Sequence, residues 1–76
     1  MNNKRRDLLK RAIELLSSAE TTVEIALDEE QESLDNMPES MSETDRYAKM
    51  EEAIGLLEEA LENISVAQEN IEEASS

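Results

Sequence analysis

Three pairs of adjacent carboxylates, Glu51-Glu52, Glu58-Glu59 and Glu72-Glu73, come nearest to a chemical apparatus in this chain. Paired carboxylates act as general acid and base, or hold a divalent cation, when both enter one site. Consecutive helical residues instead point about 100° apart, and these pairs fall on the solvated side of the helix that carries them. The sequence has no His and no Cys. Acyl transfer would then need a Ser/Lys or carboxylate arrangement to activate a nucleophile. The serines at Ser17-Ser18, in the central loop and in the tail sit in no such pattern. Zinc wants Cys or His, a carboxylate-bridged metal pair wants Glu-x-x-His on inward positions, and a calcium loop wants spaced oxygens around a glycine. The expectation is a protein that is not an enzyme and holds no cofactor and no metal.

Charge is the stronger signal. Twenty acidic and seven basic residues give a net charge of -13 over 76 residues. Lys4, Arg5, Arg6, Lys10 and Arg11 face only Asp7 within the first eleven positions, whereas beyond them only Arg46 and Lys49 oppose the acids. An acidic rod with a basic head is implied. Its field repels phosphate backbones and anionic lipid over most of the surface, so neither direct nucleic-acid binding nor membrane binding is expected. The sequence shows neither a signal-type apolar segment nor an 18-residue apolar run, and a cytoplasmic protein is expected.

One Gly, one Pro and one aromatic residue argue against strands and for an all-α fold. The second half of the chain alternates apolar residues at spacings of three and four. Tyr47, Ile54, Leu61 and Gln68 take heptad position a, and Met50, Leu57, Ile64 and Ile71 take d. Ala53, Ala60, Ala67 and Ala74 then all fall at g, a stripe of small residues beside the seam. Gln68 is a polar register-setting residue, and Gly55 falls at a solvated position. The first half carries two adjacent stripes. One runs through Leu9, Ile13, Leu16, Val23, Leu27 and Leu34; the other runs through Leu8, Ala12, Leu15, Ala19 and Ala26.

Asn2 or Asn3 can cap this first helix, and Pro38 ends it near Asp35 or Asn36 because the residue before a proline avoids the α region. Ser42-Glu43-Thr44-Asp45 reads as an N-cap with an acid three residues on. The expected domain is therefore a single hairpin, with a helix over about 3–35, a connector over 36–41 and a helix over about 42–75. One antiparallel neighbour covers only one of the first helix's stripes. A homo-oligomer is expected, a dimer forming a four-helix bundle, with Leu9, Ile13, Leu16, Val23, Leu27, Met50, Ile54, Leu57, Leu61, Ile64 and Ile71 as its seam.

At Asp28-Glu29-Glu30-Gln31-Glu32, through Asp35-Asn36-Met37-Pro38-Glu39-Ser40-Met41, to Arg46 and Met50-Glu51-Glu52-Ala53-Ile54, the chain resembles small acidic proteins encoded by phages and prophages of Firmicutes. It departs from their pattern in Met37, Met41 and Tyr47. The resemblance implies a phage origin, and with it an inhibitor or sequestering protein aimed at a host factor in the bacterial cytoplasm. Three functions compete. An acidic rod can occupy the basic groove of a host protein as a DNA mimic. Alternatively, if two hairpins pair antiparallel, Arg5, Arg6 and Lys10 approach Arg46, Lys49 and a helix N-terminus, a setting for a small anionic ligand such as a signalling nucleotide. The third reading is a structural or regulatory adaptor. Asn36, Glu39 and Ser40 join the candidate site because the connector is more elaborate than a helix reversal requires; Arg46 is expected to reach back to Glu39 or Asp35.

Overall fold

The computed structural model describes residues Met1–Ser76. Helix α1 spans Asn3–Asp35 and helix α2 spans Asp45–Ser75, with a 3₁₀ turn at Glu39–Met41 between them. The two helices lie antiparallel, as the bonds from Arg6 to Ser75 and from Gln68 to Ser17 require. Together they form a rod whose Cα extents are 59 × 15 × 13 Å. No helix is long and apolar enough to cross a membrane.

Each boundary has a local cause. Asn2 is extended (φ −80°, ψ 167°), and its Oδ1 accepts from the Arg5 N–H at 2.9 Å, satisfying a free donor at the start of α1. At the other end the Asn36 N–H reaches the Glu32 carbonyl at 3.0 Å and the Met37 N–H reaches Leu34 at 3.1 Å. Pro38 then stops the helix.

The second helix begins three residues later than the sequence suggests. Pro38 opens the turn: its carbonyl accepts from Met41 N–H at 2.9 Å, and Glu39 accepts from Ser42 at 3.1 Å. This draws Ser42 into the right-handed helical region (φ −65°, ψ −15°), where it cannot serve as an N-cap. Thr44 is extended instead (ψ 158°) and its hydroxyl accepts from the Tyr47 N–H at 3.3 Å. The same hydroxyl donates to the Met41 carbonyl at 2.7 Å, tying cap to turn.

Between these ends the residues expected to form the oligomer seam are used within one chain, packed between α1 and α2. Leu9, Ile13, Leu16, Val23, Leu27 and Leu34 of α1, and Met50, Leu57, Leu61, Ile64 and Ile71 of α2, are all half-buried, while Ile54 is buried at 7% exposure. No other residue is buried, because two helices enclose no interior. The heptad of α1 puts Ile13, Glu20, Leu27 and Leu34 at a and Leu9, Leu16, Val23 and Glu30 at d. Glu20 and Glu30 thus occupy seam positions and are half-buried, a polar interruption that the apolar stripe skipped over. Gln68, half-buried at its a position, donates a long 3.5 Å bond to Ser17 Oγ.

Candidate functional site

The sequence gathers its candidate residues at two ends of one rod. Arg5, Arg6 and Lys10 lie at the start of α1, while Asn36, Glu39, Ser40, Arg46 and Lys49 lie around the connector. Lys10 and Asn36 are separated by roughly 39 Å of helix at 1.5 Å per residue. Within one chain they make two sites.

At the head, a shallow groove of about 300 Å³ is lined by Arg6, Lys10, Ile13, Glu72, Ser75 and Ser76. Arg6 Nε donates to the Ser75 carbonyl at 3.2 Å. That carbonyl belongs to the last turn of α2, where unpaired acceptors and the negative end of the helix dipole favour a cation. Arg6 therefore complements the neighbouring helix end, which offsets its unfavourable place at the start of its own helix.

At the connector, a second groove of about 380 Å³ is lined by Ser33, Asn36, Met37, Pro38, Met41, Arg46 and Met50. Arg46 stands on its wall and bonds to neither of the partners expected for it, Glu39 and Asp35; Asp35 instead accepts from Gln31 Nε2 at 3.0 Å. Asn36 serves the fold through its backbone N–H. Glu39 and Ser40 lie in the 3₁₀ turn and, like Lys49, are exposed.

These grooves also settle how the helices' flanks are matched. Lys10 and Glu72, both at heptad position e, share the head groove. Ser33 and Arg46, both at g, share the connector groove. An antiparallel pair thus sets e beside e on one long face and g beside g on the other. The g alanines of α2 and their counterparts Ala12, Ala19 and Ala26 in α1 lie on one face. Sequence inspection found each stripe separately; carrying the heptad through Glu20 and Glu30 would have joined them.

Five hydroxyl groups, those of Thr21, Thr22, Thr44, Ser75 and Ser76, donate to backbone carbonyls. Thr21 and Thr22 donate to the Ser17 and Ser18 carbonyls at 3.2 and 2.9 Å, and Ser75 donates to Ile71 at 2.7 Å. Nowhere do three acidic side chains converge to form a metal-binding cluster. Comparison with family models, with curated proteins and with solved structures returned no match.

Proposed function

We propose that this chain is a non-catalytic binding protein that assembles as a homodimeric four-helix bundle and blocks a basic partner protein along its acidic side. One observation carries the reading. The e and b positions of both helices form an exposed face on which Glu24, Asp28, Glu51, Glu58, Glu62 and Glu72 recur along the rod, with Lys10 the single base. Such a line of charge steers and holds a basic groove. The phage-type origin implied by the connector makes that partner a host protein in the bacterial cytoplasm, with its nucleic-acid groove as the natural target.

The test is competition. Immobilised protein is challenged with nuclease-treated host lysate, and the captured proteins are identified and then washed with duplex DNA. The reading expects a nucleic-acid-binding protein that DNA displaces. Capture that excess DNA leaves intact would overturn the mimicry.

A second reading rests on the connector groove, where Arg46 and Asn36 stand beside three methionines next to the start of α2. A small anionic ligand there would raise the melting temperature of the native chain and not of the Arg46→Ala variant. Melts with a panel of nucleotides check this, and no shift with any of them removes it.

A further inference from the structure

We propose that the second copy docks on the g and c face of the hairpin, and that the two rods run antiparallel, head to connector. The proposal rests on the dimeric reading above and adds the face and the direction. Between Arg5 at its head end and Arg46 and Lys49 at its connector end, the face carries small, apolar or uncharged residues with the one exception of Glu29, where the opposite face is acidic. The g alanines of both helices form its floor, and Leu8, Leu15 and Leu56 rise from c positions with 59, 61 and 59% of their surface in water. Of the 20 acidic residues, Glu29 alone stands at a g or c position of either helix. A surface so cleared of like charge, on a chain of net charge -13, can meet a second such surface without repulsion. Alanines at g let helix axes approach closely, and flanking leucines fill the space between them.

The size fits as well. A face 59 Å long and 15 Å wide presents roughly 900 Å² per copy, so two copies would bury an area within the range of stable interfaces, about 1,200–2,000 Å² in total.

Direction follows from charge. Residues 1–20 and 64–76, which make up the head half of the rod, carry five bases and six acids. Residues 21–63, the connector half, carry two bases and fourteen acids. A parallel dimer stacks two connector halves, each strongly negative. An antiparallel dimer sets each against a nearly neutral half and brings Glu29 level with the basic head of the other copy. Coulomb repulsion therefore selects the antiparallel form.

The native chain has no cysteine, so single-cysteine variants report proximity without background. Ala19 is the midpoint of α1 and lies on the proposed face; Ser65 lies on the opposite one. Sedimentation equilibrium first establishes mass, and circular dichroism establishes that each variant folds. Under mild oxidation Ala19→Cys or Thr22→Cys is expected to link to its own kind, and Ser65→Cys is not. A monomeric mass overturns the dimeric reading itself. A dimer that links through Ser65→Cys overturns the face. A dimer in which Ala19→Cys links only to Ala67→Cys overturns the direction, since a parallel pair sets α1 against the other copy's α2.

Discussion

The two long faces of this hairpin are built on one seam and differ in almost everything else. On the e and b side acidic side chains recur from end to end; on the g and c side alanines and leucines predominate between basic ends, and Leu8, Leu15 and Leu56 stand in water. A helix that needed only its hairpin partner would carry polar residues on both flanks. The difference teaches that the acidic composition is not a general solubilising coat. It has been kept off one surface.

The most damaging way to break the comparison is to remove the seam that both faces share. Ile64→Asp places a charge at a d position, and the helical circular dichroism at micromolar concentration is expected to collapse, whereas Glu59→Gln at an outer position leaves it intact. Equal effects would show that the seam is wrongly drawn. Next is Leu15→Asp, on the g and c side. In a lone hairpin this exposed leucine contributes within about 0.5 kcal/mol, but between two hairpins its burial is worth roughly 1.5–3 kcal/mol. Melting temperatures at two protein concentrations distinguish the cases, and a matched change at Glu14 on the other side serves as control.

Salt sharpens the contrast. Like charges on the acidic face repel, and ions screen them over about 10 Å at 0.1 M. The melting temperature is expected to rise from low to moderate salt; a fall would make attraction to the basic head the larger effect. Glu30→Leu is expected to stabilise the fold by about 1 kcal/mol, because it completes the seam of α1 at a half-buried position. The smallest change is Gly55→Ala, where an added methyl group meets no atom within 4 Å. Removing glycine's excess backbone freedom stabilises by roughly 0.5–1 kcal/mol, measurable by urea denaturation.

Much of the fold was legible because it rests on local rules. Asn2, Pro38 and the a and d residues of α2 act through capping, φ restriction and periodicity, each visible in a few consecutive positions. The start of α2 was not, since Ser42 and Thr44 are both competent caps and only the 3₁₀ turn after Pro38 decides between them. Glu20 and Glu30 were missed because a charged residue hides a period that its neighbours keep. The candidate site suffered from distance: composition joined Arg6 and Arg46 as bases, whereas the hairpin sends them to opposite ends.

The connector groove gives the molecule an uneven chemical weakness. Three of its four methionines, Met37, Met41 and Met50, line that groove, and none lies farther along either helix. A thioether converted to sulfoxide becomes polar and no longer suits an apolar contact. Peroxide would therefore loosen the reversal between the helices while sparing the leucine and isoleucine layers beyond it. Amide exchange would register the damage as faster opening at Thr44 to Met50, and a reductase acting on methionine sulfoxide would restore the closed turn.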